Sequence, residues 1–401
     1  MPAARTWLTA TPLDYGDDLQ FWDRDAGLLC LGLRELGVPA RLAALGEPAE
    51  RRDPPLVLGR LADFSRPEWW ARLDATGVIL NSWGAPRYEP VARAIKAAGL
   101  RLVVRLDSSG YKSPRLDARR FFTYTKSHLI DAGRPLPSLL ALAKTLLFYA
   151  VRSAHDGPMC AHLSHADLIT LESPRACLLF RELLRRLGRA DLAERVRLLP
   201  HPVLDAFQTN AASAKQPLLL AAGRWQSHFK DTPKLVRVFG QVLAREPAAR
   251  VRILGSGDEL VRREIQKLPP AAQARFDVHG PVPHLDLVPH LQAAQVVFCS
   301  SRLESFHLVS AEGLCCGCSV VGPAEIPSMH WFTGEQSGTL AADRSDACLA
   351  DALVAELAAW RSGARDPQRL SATWRARLTA RSVAAEALRL LADNEPARVT
   401  P

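Results

Sequence analysis

The sequence predicts an α/β protein built from two doubly wound parallel-sheet domains, and three observations predict it. Apolar strand-like runs alternate with helical stretches through both halves of the chain, at the spacing of parallel βαβ units. A complete strand–loop–helix–strand unit reads off the stretch from Gln295 to Gly322, between the apolar runs Gln295-Val-Val-Phe-Cys299 and Cys318-Ser-Val-Val321. Between the two series lies Pro200-His-Pro202, a stiff passage suited to a domain junction. At 401 residues the chain is long enough for two or three domains, each with its own core.

In the first half, residues 5–10 read as a short strand. Ala26 to Leu36 reads as a helix closed by Gly37, and Val38 to Leu42 as the second strand. Gly77–Asn81 is the next strand and Glu89–Ala98 a helix. Leu100–Leu106 is a strand that runs into Asp107-Ser-Ser-Gly110. Asp107, with Arg105 and Ser108 beside it, either accepts a proton from a bound hydroxyl or caps the turn. The stretch from Arg119 to Arg152 holds the apolar run Leu139–Val151, broken by Lys144 and flanked by Lys126, Arg134 and Arg152. A core helix is the default reading of such a run; a helix lying on a membrane surface is the alternative. His165 to Pro174 reads as a strand followed by a Ser-Pro helix start.

In the second half, Pro217–Ala222 is an apolar strand ending in Gly223-Arg224, with Lys230 just before a helix from about Pro233 to Leu243. A guanidinium and an ammonium at one strand end neutralise two phosphates, or else are solvated loop cations. The strand Ala249–Leu254 ends in Gly255-Ser-Gly257, where glycines let backbone approach a ligand closely. Phe276–Gly280 is a strand followed by Pro281-Val282, and His284–Ala293 a helix. Glu304 then falls at the entrance of a helix read from Ser305 to Cys316, with Glu312 two turns further in. Gly317 suits the left-handed position past its end. Eight helical residues separate the carboxylates by roughly 12 Å. Two glutamates at this spacing are solvated surface residues, or one holds a sugar and the other a ribose, with a diphosphate at the helix N-terminus between them. The helix Thr379–Leu391 ends the ordered pattern.

Glu304-Ser-Phe-His-Leu-Val-Ser-Ala-Glu312-Gly-Leu-Cys-Cys-Gly-Cys-Ser-Val-Val321 resembles the E-x7-E segment of the retaining glycosyltransferases of family 4 (glycosyltransferase group 1). Gly223-Arg224, Lys230 and Gly255-x-Gly257 follow that family's pattern in order. The resemblance is close over residues 217–322, fair over 160–205 and thin before residue 120. His307 stands where the family usually has Gly, and Asp107 where it commonly has an acceptor-side His.

The resemblance implies a GT-B fold: two Rossmann-like domains facing a cleft, residues 1–205 for the acceptor and 206–375 for the nucleotide sugar. The helix of residues 376–401 would cross back to the first domain. It implies sugar transfer from a nucleotide-diphosphate sugar, with retention of anomeric configuration, to a glycan, lipid-linked or small-molecule acceptor. Arg224 and Lys230 would hold the diphosphate, Glu304 the sugar hydroxyls and Glu312 the ribose. Gly223, Gly255, Gly257, Val282, Ser305, Phe306, His307 and Leu308 would complete the donor site. Gly16, Asp107 and Ser108 would face the acceptor. No cofactor and no metal ion are expected beyond the donor itself. A hydrolysing nucleotide-sugar epimerase and a catalytically silent binding protein share the fold and stand as alternatives.

The net charge of +9 points to an anionic partner such as a nucleotide diphosphate, an acidic glycan or a membrane surface; nucleic acid is not the expected one. Arginines 361, 365, 369, 375, 377 and 381, with the single acid Asp366 among them, read either as part of that charge or as a solvated helix face. The eight cysteines show neither disulfide nor zinc spacing and read as small core hydrophobes in a reducing cytoplasm. The N-terminus lacks the apolar segment of a signal peptide. A cytoplasmic protein, peripheral at a membrane if the surface-helix reading holds, is the expectation, with the oligomeric state open.

Overall fold

The computed structural model describes residues 6–13, 20–23, 25–51, 55–210, 214–334 and 336–394. The chain forms two compact units. The first takes residues 1–122, 142–204 and 379–401, and the second takes 123–141 and 205–378. Residues 123–141 thus fall within the second unit although they lie in the first half of the chain.

The first unit is an eight-stranded sheet. Its strands are β1 (Thr6–Thr11), β2 (Ala40–Leu45), β3 (Ala49–Arg51), β4 (Leu56–Gly59), β5 (Ala75–Asn81), β6 (Arg101–Arg105), β7 (Leu168–Leu171) and β8 (Val196–Leu198). They lie in the order β3-β4-β2-β1-β5-β6-β7-β8, and only the edge strand β3 is antiparallel. Alternation of side chains along each strand divides the apolar residues between two faces. Val78, Leu80, Leu102 and Val104 pack with Trp70, Val91, Ile95 and Phe180 on one face. Ile79 and Val103 pack with Leu29 and Leu33 of the helix Asp25–Glu35 on the other. The helix Ala380–Asp393 covers that second face through Val383, Ala384 and Ala387. Gly32 permits the approach, since a Cβ there would stand 2.1 Å from the Ala380 carbonyl oxygen.

The second unit carries β9 (Gln216–Ala222), β10 (Arg250–Leu254), β11 (Phe276–Val278), β12 (Ala294–Phe298), β13 (Ser319–Pro323) and β14 (Gly338–Ala341). All are parallel, in the order β11-β10-β9-β12-β13-β14. This is the doubly wound order in which the chain reverses direction across the sheet between its first and fourth strands, and ligands bind outside the carboxyl ends there. Leu219, Val251, Ile253, Val296 and Phe298 form the core with Phe239 and Leu353.

Three local expectations change. Strands β3 and β4, and the short helix Pro67–Ala71 that buries Trp69 and Trp70, were not foreseen. The helix expected from Ser305 begins only at Leu308, with His307 as its N-cap at φ +67°. Glu304 therefore lies in the preceding loop, and the 12 Å helical spacing does not apply to it. The helix Pro137–Ala150 is not a core helix: Ala141 and Thr145 are buried, but its leucines are exposed.

The arginines near the C-terminus are structural fasteners. Arg361 pairs with Glu246, Arg365 makes two bonds to the buried Glu356, and Arg375 donates to the carbonyls of Asp205 and Phe207. Arg381 donates to the Glu35 carbonyl. The cysteines are free among the described residues, and all but Cys348 are buried.

Candidate active site

The second unit builds its site where β9 and β12 lie side by side. Gly223 follows β9 and donates its N–H to the Leu254 carbonyl at 3.0 Å. Gly255, at φ +122°, packs so closely that a Cβ would fall 1.9 Å from the Gly223 carbonyl oxygen. Only glycine fits there. Gly257 adopts φ +82° and donates no side chain, so Gln226 lies against its backbone. Trp225 is buried under this turn and donates from its indole to the Leu254 carbonyl at 2.9 Å.

Lys230 comes from the short helical turn His228–Lys230, and its ammonium donates to Glu304 at 2.7 Å. Ser301 donates to the same carboxylate oxygen at 2.7 Å. Burial pushes the Glu304 carboxyl up, but Lys230 and these hydrogen bonds outweigh it and bring it down to about 2. Glu304 is thus held in its anionic form near neutral pH, ready to accept hydrogen bonds. Its loop is fixed by a network. Asp231, held at φ +53°, receives Arg302 at 2.7 Å and Arg344 at 2.8 Å. Ser300 donates to the Lys230 carbonyl at 2.9 Å, and the Arg302 N–H to the Phe229 carbonyl at 2.8 Å. The loop after β9 is thereby fastened to the loop after β12.

The segment 123–141 holds the same region from another side. Asp131 accepts from the Ser227 hydroxyl at 2.6 Å and the His228 N–H at 2.7 Å. Ser127 pairs with His228 at 2.8 Å, and His128 packs on Phe229 with ring centres 4.9 Å apart.

Arg224 is exposed, with no side-chain partner among the described residues. His307 is buried with its Nδ1 2.6 Å from the Ser310 hydroxyl. Burial pulls the imidazole down to about 4, against the pull of Glu304, so it is neutral near pH 7. Phe306 is buried against Phe332 with centroids 5.0 Å apart. Ser305 and Val282 are half-buried loop residues, and Leu308 is the first residue of the helix. Glu312 is buried inside that helix, its carboxylate 2.6 Å from His284 Nε2. His284, whose ring also packs on Phe207, was read only as a helix start in the sequence.

In the first unit, Asp107 follows β6 at φ +43°. The fully buried Glu172, after β7, accepts the N–H groups of Asp107 and Ser108, both at 2.9 Å. Arg105 is buried beneath them and donates to the Pro200 carbonyl at 3.1 Å. His201 bridges two carboxylates, Asp25 on Nδ1 and Asp107 on Nε2, the latter at 3.2 Å. Ligand atoms of Asp25, Asp107 and His201 all lie within 4.8 Å of one another. His201 reaches these carboxylates from a distant stretch that read as a proline-bounded linker. Gly16 lies outside the described residues.

Each unit is a parallel-sheet Rossmann-like domain, and together they match structures of GT-B glycosyltransferases. Residues 216–358 match the family described as "Glycosyl transferases group 1". No curated protein matches the chain in sequence. Among solved structures, Anabaena HepE in complex with UDP and glucose superposes with a TM-score of 0.63 at 15% identity, over 97% of this chain and 100% of that one. Sucrose-phosphate synthase from Thermosynechococcus elongatus gives 0.60 at 16% identity, over 97% and 99%. WaaG, described as a glycosyltransferase of lipopolysaccharide biosynthesis, gives 0.57 at 12% identity, over 95% and 98%.

Proposed function

We propose that this chain is a glycosyltransferase that moves a sugar from a nucleotide-diphosphate sugar to a glycan, lipid-linked or small-molecule acceptor, with retention of anomeric configuration. The observation that carries the reading is the Lys230–Glu304 contact at the point where the sheet of the second unit reverses, with the free guanidinium of Arg224 beside it in the chain. The family match over residues 216–358 supports the activity, and the HepE complex supports a UDP-type donor. Retention rests on the resemblance of the Glu304–Glu312 segment to retaining enzymes.

In this reading Arg224 and Lys230 neutralise the diphosphate as the glycosidic bond to it breaks, which is the main electrostatic task of the reaction. The ionised Glu304 accepts hydrogen bonds from sugar hydroxyls while keeping Lys230 in place. Glu312 accepts from the ribose, with His284 fixing its carboxylate. The neutral His307 adds no charge beside the sugar. The two cations carry the leaving-group charge without assigning any step to a metal ion. In the first unit, Asp107 orients the acceptor hydroxyl, and His201 and Glu172 hold its side chain and backbone.

Mass spectrometry after incubation with a panel of nucleotide sugars and acceptors tests the proposal. A glycosylated acceptor supports it. Release of free sugar and nucleotide with an epimerised product, independent of acceptor, would assign the chain to the epimerases. Neither donor binding nor turnover with any nucleotide sugar would leave a binding protein.

A further inference from the structure

The helix Pro137–Ala150 breaks the ordinary rule for a helix on a protein surface. Its sequence is apolar on all sides, with Lys144 its only charged residue. Such a helix belongs in a core or in a lipid phase. Here Ala141 and Thr145 are buried and Phe148 is partly covered, which makes one narrow stripe. Outside that stripe Leu139 and Leu146 are 60% exposed, and Leu140, Leu142, Leu147 and Tyr149 are exposed as well. Leu136 before the helix and Val151 after it extend the surface. Monomeric proteins rarely expose a continuous apolar face of this extent without a partner for it.

The charges around the face say what that partner is. No aspartate or glutamate occurs from residue 132 to 155, while Arg134 precedes the helix, Lys144 lies within it and Arg152 follows it. Lys144 lies along the Phe148 ring, 5.3 Å from its centre, which leaves its stem on the apolar surface. A segment with exposed leucines, three cations and no acid between Asp131 and Asp156 is complementary to an anionic, apolar surface. It is not complementary to itself, because a second copy of the same segment offers these cations no acid of its own to pair with. The described residues contain no helix long and apolar enough to cross a membrane.

We infer that the helix Pro137–Ala150 is a membrane-surface anchor that lays its leucines into the headgroup region of an anionic phospholipid bilayer. This goes beyond the proposed transfer reaction and does not depend on it.

Co-sedimentation of the full chain with vesicles tests the inference, using phosphatidylcholine alone and phosphatidylcholine mixed with phosphatidylglycerol, at low and at physiological salt. The wild type pellets with the mixed vesicles. The triple variant Leu139→Ser, Leu146→Ser, Leu147→Ser binds them about tenfold more weakly or worse, because each substitution removes apolar area from the lipid contact. Circular dichroism checks that this variant keeps its fold. Lys144→Glu keeps the apolar face intact and weakens binding by at least about fivefold at low salt. A wild type that stays in the supernatant with both vesicle types overturns the inference, as does a folded triple variant that pellets as well as the wild type. A dimer in analytical ultracentrifugation that the triple variant dissolves, without vesicle binding, also overturns it and gives the face to a second copy.

Discussion

Lys230 and Glu304, seventy-four positions apart in the chain, meet at 2.7 Å where two loops of one sheet converge. The contact is an ion pair with little water around it, so neither residue can be removed without changing the other.

Arg224→Ala and Lys230→Ala therefore differ. Both lower kcat/KM for transfer by about 10²–10³, the usual loss when one donor to a developing anion is removed. Arg224→Ala keeps the wild-type thermal midpoint, since its side chain is exposed. Lys230→Ala lowers the midpoint, because it strands the Glu304 carboxylate without its cation. Steady-state assays with calorimetric melting check both parts, and equal midpoints would contradict the second.

The pair also predicts an acid transition. The Glu304 carboxyl is held at about 2 in the fold against an ordinary 4.5. A depressed carboxyl contributes stability that is present above its unfolded value and is lost as pH falls towards the folded one. The wild type should lose stability between about pH 4.5 and 2 by a component that Glu304→Gln lacks. Urea melts across that window measure the difference.

Glu172 has the opposite sign. Burial, with Asp107 adding to it and Arg105 and the Ser108 N–H opposing, pushes its carboxyl up to about 8. A raised carboxyl stabilises fully below its unfolded value and loses that contribution as pH rises through the folded one. Stability should fall from about pH 4.5 to pH 8 in the wild type and show a smaller fall in Glu172→Gln. Parallel profiles would mean that Glu172 does not titrate there.

The two glutamates of the Glu304–Glu312 segment should separate in binding and turnover. Glu312→Gln and His284→Ala weaken the free nucleoside diphosphate in calorimetry, whereas Glu304→Gln mainly lowers kcat. Equal losses of nucleotide affinity at both glutamates would end that division of roles.

Glycines at the strand ends give a test of geometry alone. Gly255→Ala places a methyl into the Gly223 carbonyl at a left-handed φ, so it should destabilise by about 1–3 kcal/mol. Gly223→Ala meets only the flexible Lys230 stem at 3.2 Å, and should keep stability while lowering activity. Thermal melts of the two variants compare directly.

The second unit was more legible than the first for a physical reason. β9, β12 and β13 each carry a buried apolar run (Leu218–Ala221, Val296–Phe298 and Val320–Val321), and the loops after β9, β10 and β12 carry glycine and charge in recognisable order. β3 and β4 are three and four residues long, too short to show a period. The helix after Phe306 was started too early because nothing local in the sequence announces the left-handed turn at His307. His201 and His284 carry no motif of their own. Each becomes informative only when folding brings it to a carboxylate far away in the chain. Leu139–Val151 had the right helical character, but composition cannot say whether such a helix finds a core.

The placement of residues 123–141 limits how the protein can be divided. A fragment cut at Asp205 and Leu378 would retain all six strands of the second sheet, yet it would lack Ser127 and Asp131. The turn carrying Lys230 would then lose its three fastenings from that segment, at Ser227 and at the backbone and ring of His228. The second unit is not a contiguous module, and transplanting it whole means carrying a nineteen-residue insert borrowed from the middle of the other unit's sequence.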